Sequence, residues 1–278
     1  MHILQILVLA VVQGAAELLP VSSSAHVIVA EKLMGLDATS PEMTFLLVML
    51  HTGTMFAVIV YFWNAWRRAF FTSARQLRES LVRVVFATGV TGVVGLVLLQ
   101  LIKHMVAGGR PDYEIEQLFG DARVMTAGLV AAGLLILLSS RAPDRPVRDI
   151  GLGAAGWIGA VQGLCLPFRG FSRSGATISA GMMLGVARLR AEEFSFALAV
   201  ALTPAVVLRE GWRLFKSHAV IAQHGVAELL APGLAGMVLS FLAGLLALRW
   251  LSRWLDQGRW YLFGIYCLVA AAVVWHVG

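Results

Sequence analysis

Two short stretches concentrate the residues that can do chemistry. ELLPVSSSAH (17–26) holds Glu17, Ser22, Ser23, Ser24 and His26, and SRSGAT (172–177) holds Ser172, Arg173, Ser174 and Thr177. Ser23 and His26 are three apart, so on a helix they share a face and a hydroxyl can meet an imidazole. That spacing suits Ser23 as a nucleophile assisted by His26, and equally His26 as the nucleophile assisted by Ser23. Glu17, across Pro20, is the one carboxylate in the apolar part of its region. With His26 it can orient a proton transfer, or it can hold a hard divalent cation that bridges phosphate oxygens. In both stretches the serines precede an apolar helical pattern, VIVAEKLMG and TISAGMMLG. They therefore fall around helix N-termini, where free N–H groups and the positive dipole end favour an anion. Arg173 adds a planar fork of donors suited to phosphate.

The elements that must position these groups lie in lipid. Of the 278 residues, 59% are hydrophobic and only 14% charged, the latter about half the usual share. Mean hydropathy is +0.79. The expected fold is an all-α integral membrane protein forming a single membrane domain over 1–278. Six runs are long enough to cross a bilayer: 43–63, 81–102, 122–139, 194–214, 227–248 and 260–277. Residues 2–34 and 150–187 are apolar at both ends but interrupted by Gly, Pro, Ser and Arg. Such interruption is expected of re-entrant helix pairs, because irregular backbone at membrane depth survives only where protein or water satisfies it. A spanning helix kinked at Pro20 or Pro167 is the simpler alternative.

Charge placement orients this arrangement. The segments 64–83, 141–148, 188–190 and 249–259 share one side and hold 13 of the 22 Lys and Arg residues. The opposite side holds seven, with the acidic stretch RPDYEIEQLFGD (110–121). The richer side is expected to be cytoplasmic, which puts both termini on the outside. The formal charge of +6 is dispersed between apolar runs, as topology signals are, and points to no nucleic-acid partner. Cys165 and Cys267 are far apart in apolar stretches and suit packing. Residues 3–12 lack a preceding Lys or Arg, against a cleaved signal. His51, alone within a run, suits a helix contact or site lining equally, and His218, His224 and Glu228 are expected in a loop.

The two chemical stretches are also related to each other. Ser22, Ser24, Ile28 and Ala30 meet Ser172, Ser174, Ile178 and Ala180 at a shift of 150, and Gln13-Gly14 recurs as Gln162-Gly163. Each half, 1–140 and 150–278, would be one broken segment followed by three spans. An odd number of crossings turns the second half upside down, so the halves form an inverted-topology repeat whose breaks meet near the midplane.

QGAAELLPVSSSAH, HTGTMFAVIVYF and GFSRSGATIS resemble the undecaprenyl pyrophosphate phosphatases of the bacitracin-resistance (BacA/UppP) type, and the resemblance runs over essentially the whole chain. It implies six transmembrane helices and two re-entrant pairs, and hydrolysis of undecaprenyl diphosphate to the monophosphate and inorganic phosphate. It also implies a site open to the periplasm, assisted by Mg2+ or Ca2+, with Glu17, Ser23, His26 and Arg173 in the catalytic positions. Gln13, Ser22, Ser24, Ser172, Ser174 and Thr177 are then expected to bind substrate, Glu17 to be the metal ligand, and a homodimer to form. Two positions depart from the family pattern: Arg169 precedes Gly170 where a proline is usual, and Gln13 replaces a carboxylate that some relatives have. Inverted repeats with anion-binding half-helices also serve alternating access, so a polyprenyl-phosphate transporter is the rival reading. The Ser, His and Glu grouping argues for the hydrolase, since transport needs no nucleophile.

Overall fold

The computed structural model of the chain describes residues 2–37, 40–107, 121–143, 150–216 and 218–277. These are helical almost throughout. In chain order the elements are α1 (Ile3–Leu18), α2 (Ser23–Leu33), α3 (Pro41–Phe70), α4 (Ala74–Ala107), α5 (Ala122–Ser139), α6 (Leu152–Cys165), α7 (Arg173–Met183), α8 (Arg188–Lys216), α9 (His218–Asp256) and α10 (Tyr261–Val277). Residues 110–120 of the acidic stretch, and Arg145 and Arg148, lie outside the described residues.

Local chemistry sets the boundaries. The Ser40 hydroxyl accepts from Met43 N–H at 3.3 Å and Pro41 follows at the first helical position, so α3 begins there. The Asp121 carboxylate accepts from Arg123 N–H at 2.7 Å and starts α5. Helices α2 and α7 end alike: Gly35 (φ +63°) and Gly185 (φ +80°) turn left-handed, and the next residue's N–H returns to Glu31 O at 2.9 Å and to Gly181 O at 3.0 Å. Both are Schellman caps, which glycine adopts at least cost, and they stand 150 residues apart.

Among the described residues four helices are long and apolar enough to cross a membrane: Met43–Phe70, Ala74–Met105, Ala122–Ser139 and Leu230–Asp256. These correspond to four of the six expected spans. Helix α10 is apolar but has 17 residues, and α8, with 29, is diluted by charged residues at both ends. The long helices continue past their apolar runs. Helix α4 starts at Ala74, seven residues before the expected span, and its first turns are stitched by Arg75 and Arg83 to Glu79 at 3.0 and 3.5 Å. Helix α9 runs for 39 residues from His218, so the backbone at His218, His224 and Glu228 is helical rather than a loop. Helical hydrogen bonding is internal and need not stop where the hydrocarbon does.

The packing joins distant parts of the sequence. Helix α1 lies on α9, α6 on α4, α5 on α10, and α3 on both α8 and α9. Besides smaller clusters around Leu9 and Leu50, Met125 and Leu129, and Ile158 and Leu198, one apolar core cluster runs through Leu18, Phe62, Ile178, Phe196, Leu251 and Trp260. Inside it the Trp260 indole donates to Ser139 Oγ at 2.9 Å, and Ser139 Oγ donates to Ser179 Oγ at 2.9 Å, so the polar atoms are satisfied. The outside is apolar too. Val85, Phe86, Val93, Leu96, Val97 and Leu101 of α4 are all exposed, a surface that water would not tolerate and lipid does.

Candidate active site

Each half-length pair makes its turn inside the fold. Helix α1 stops at Leu18 because Leu19, preceding Pro20, is forced into extended geometry (φ −70°, ψ 150°). Ser22 then takes φ 67°, ψ 94°, the one non-glycine residue with positive φ among the described residues, and α2 starts at Ser23. Residues held in such sparsely populated backbone are over-determined by their surroundings and collect at functional sites. On the second pair, Gly170 (φ +95°) packs so closely on α5 that a Cβ there would stand 2.2 Å from Met125 O. Ser172 caps α7 by accepting from Gly175 N–H at 3.2 Å, and Arg173 is the first helical residue. The two turns touch, since Ser174 Oγ donates to Leu19 O at 3.2 Å.

Glu17 is the centre of the polar cluster so formed. Its Oε1 receives Arg173 Nη2 at 2.8 Å, across 156 positions of sequence. Its Oε2 receives the Ser23 hydroxyl at 2.5 Å and Gln13 Nε2 at 3.2 Å. His51 of α3 places Nε2 3.8 Å from the same oxygen while Nδ1 donates to Leu47 O at 2.7 Å, so His51 lines the site. The other terminal nitrogen of Arg173, Nη1, is buried with no hydrogen-bond partner among the described residues.

Ser23 and His26 do not pair, although their spacing allows it. The Ser23 proton points to Glu17, whereas His26 Nδ1 donates to Ser22 O at 2.8 Å. With that nitrogen carrying the proton, Nε2 of the neutral ring accepts from Tyr266 O–H at 2.8 Å, and the two rings stack with centroids 5.6 Å apart. A hydroxyl with a carboxylate at hydrogen-bond distance is the geometry of an activated oxygen nucleophile and its base. Tyr266 gave no signal in sequence, being one aromatic residue in an apolar run.

Burial divides the remaining expected site residues. Glu17, Ser23, Ser24, His26 and Arg173 are partly open, whereas Gln13, Ser22, Ser172, Ser174 and Thr177 are buried. The buried set holds the turns together. The Thr177 hydroxyl donates to Arg173 O at 2.8 Å and meets Ser195 Oγ at 2.6 Å, and Ser22 Oγ meets Ser24 Oγ at 3.3 Å. Arg169 is exposed on the second turn, where its charge acts on Glu31 of α2. Four residues after Gln162 stands Leu166, where four after Gln13 stands Glu17, so of these two positions only the first carries a carboxylate.

As for a metal, no three His, Cys, Asp or Glu side chains come together in a way that could hold an ion among the described residues. Glu17 already receives donors on both oxygens. A divalent cation would have this one carboxylate from the protein, and would need phosphate oxygens to complete its shell.

The family model described as Bacitracin resistance protein BacA matches residues 6–273. The chain is 60% identical over 277 residues to Undecaprenyl-diphosphatase 2 of Acinetobacter baylyi, covering 99% of this chain and 97% of that protein. It is 33% identical over 290 residues to the Undecaprenyl-diphosphatase of Desulfosudis oleivorans, covering 100% and 99%. It is also 34% identical over 277 residues to Undecaprenyl-diphosphatase 1 of Burkholderia pseudomallei, covering 94% and 92%.

Proposed function

Because the chain belongs to the family of bacitracin resistance protein BacA, we propose that it is an undecaprenyl-diphosphatase. It is a membrane hydrolase that cleaves undecaprenyl diphosphate to undecaprenyl phosphate and inorganic phosphate, returning the lipid carrier to cell-wall synthesis and conferring bacitracin resistance. The relatives' shared name favours this over the transporter reading.

The observation that carries the mechanism is the Ser23 hydroxyl bound to Glu17 at 2.5 Å beside Arg173. In our reading Arg173 takes a terminal phosphate oxygen on its unpartnered Nη1 while Nη2 stays on Glu17. Ser23 Oγ attacks the terminal phosphorus, its proton passes to Glu17, and the bond from phosphorus to the bridging oxygen breaks, releasing undecaprenyl phosphate. Water then displaces phosphate from Ser23, giving one proton to the site as Ser23 regains its own. His26, oriented by Ser22 O and Tyr266, lines the same space and serves proton transfer. Its attack on phosphorus would first require the Tyr266 bond to break. Mg2+ or Ca2+, when bound, would neutralise phosphate charge with Glu17 as its protein ligand.

The same reading includes the finer architecture. Six helices cross, with α8 and α10 as the two added to the four apolar spans, and α1–α2 and α6–α7 are re-entrant pairs of inverted halves. The matched caps at Gly35 and Gly185, and the matched packing of α1 on α9 and α6 on α4, support it. Site and termini face the periplasm of the inner membrane, and a homodimer is the expected assembly, checked by light scattering in detergent.

The deciding experiment measures initial phosphate release from saturating polyprenyl diphosphate by purified variants. Ser23→Ala should lose at least ~1000-fold in kcat. Ser24→Ala, which removes a partly open hydroxyl that meets Ser22 Oγ at 3.3 Å, should cost about 1 kcal/mol, or about fivefold. Near-normal turnover by Ser23→Ala together with a dead His26→Ala would transfer the nucleophile to His26 or to water.

A further inference from the structure

We propose that a basic cavity at the arginine-rich ends of α3, α4 and α8, remote from Glu17, binds the phosphate of an anionic phospholipid headgroup. The cavity has a volume of about 310 Å³ and shares no residue with the site described above.

Its charge is unbalanced. Arg68, Arg75, Arg83 and Arg190 line it with two carboxylates, Glu79 and Glu193, which leaves a formal charge of +2. Glu79 is shared, with Arg75 on Oε1 at 3.0 Å and Arg83 on Oε2 at 3.5 Å, and Glu193 is taken by Arg190 at 2.8 Å. Arg68 forms no ion pair among the described residues. Four guanidinium groups around one cavity share two carboxylates; three are paired and, among the described residues, Arg68 is not, so an entering anion meets a net positive charge. A phosphate, with oxygens to satisfy several forks at once, is the anion whose geometry they match.

The position of the cavity favours a lipid as the source of that phosphate. Trp63 and Phe71 are exposed rings 6.3 Å apart on the same end of α3, as expected where a helix leaves the hydrocarbon for the headgroup layer. Phe70, Phe194 and Ile150 form the apolar part of the cavity wall. Free phosphate has no use for an apolar wall at that depth, whereas a headgroup is held there by its own acyl chains. Basic pockets between helix ends take anionic headgroups for this reason.

The test is native mass spectrometry of the full-length protein in detergent, titrated separately with phosphatidylglycerol, phosphatidylcholine and inorganic phosphate. Phosphatidylglycerol should be retained more tightly than phosphatidylcholine, and Arg68→Gln with Arg190→Gln should weaken it by about tenfold, the loss expected of removing charge-assisted contacts. Arg67→Gln, exposed and outside the cavity, should bind as wild type. Phosphate release by the double variant in detergent should be unchanged, which also certifies its fold. If inorganic phosphate displaces the lipid with the same arginine dependence, the lipid assignment is overturned in favour of free phosphate. Equal retention of the two lipids, or wild-type binding by the double variant, overturns the site itself.

Discussion

Arg173 divides its two terminal nitrogens unequally: Nη2 holds Glu17 at 2.8 Å, and Nη1 is buried without a partner among the described residues. An unmet buried donor costs about 1–3 kcal/mol, a cost that a phosphate oxygen in that place removes. Arg173→Ala should therefore abolish phosphate release in a protein that still folds. Arg173→Lys should recover little, losing about 100-fold or more relative to wild type, because a single ammonium cannot serve Glu17 and phosphate together. A lysine variant within twofold of wild-type kcat would show that the fork is not used. Tyr266 supports a second residue-scale prediction. Its hydroxyl meets His26 Nε2 at 2.8 Å, so Tyr266→Phe removes an orienting bond while leaving the stacked ring. A loss of about 1–1.5 kcal/mol corresponds to about a tenfold fall in kcat. An unchanged kcat would mean that the bond is idle in turnover. At this scale the sequence made Glu17, Ser23, His26 and Arg173 conspicuous by type, but the partner each one takes was not legible. Ser23 lies on the same helical face as His26 and yet bonds Glu17, because the turn at Pro20 and Ser22 folds α1 back beside the start of α2.

Among the elements, the two turns do what single helices cannot, presenting side chains from opposite halves to one point. The second turn depends on Gly170, whose φ of +95° and contact with Met125 leave no room for a side chain. Gly170→Ala should displace the turn that carries Ser172 and Arg173. We expect it to lose most of its phosphate release, with thermal stability lowered by several °C for a change of about 1–3 kcal/mol. Activity and stability both equal to wild type would mean that the turn tolerates a different backbone. Two helix starts were readable in the sequence, since the serines at 22–24 and 172–174 stand where α2 and α7 begin, whereas the caps at Ser40-Pro41, Asp121, Gly35 and Gly185 emerged only with the fold. Helix extension beyond the lipid was not readable. The first turns of α4 and α9 are polar or mixed, and hydropathy alone reads such segments as loops.

For the whole molecule, the way the site faces follows from the topology. Single cysteines at Lys32 and at Gln76, in a background with Cys165 and Cys267 changed to alanine, should label from opposite sides of the membrane with an impermeant thiol reagent. Labelling from one side would remove the re-entrant arrangement and the expected facing of the site. Composition and apolar run length determined by themselves that this is a helical membrane protein, because lipid demands that every backbone group be satisfied within the segment. Motif chemistry pointed to an anion and to a candidate nucleophile, because few residue types perform those tasks. The tertiary structure decided the rest. It brought Arg173 onto Glu17, placed His51 beside Glu17 and Tyr266 beside His26, and buried Ser172, Ser174 and Thr177. Those outcomes depend on which helices pack together, α1 against α9 and α6 against α4, and packing between segments distant in sequence leaves no local trace in the chain.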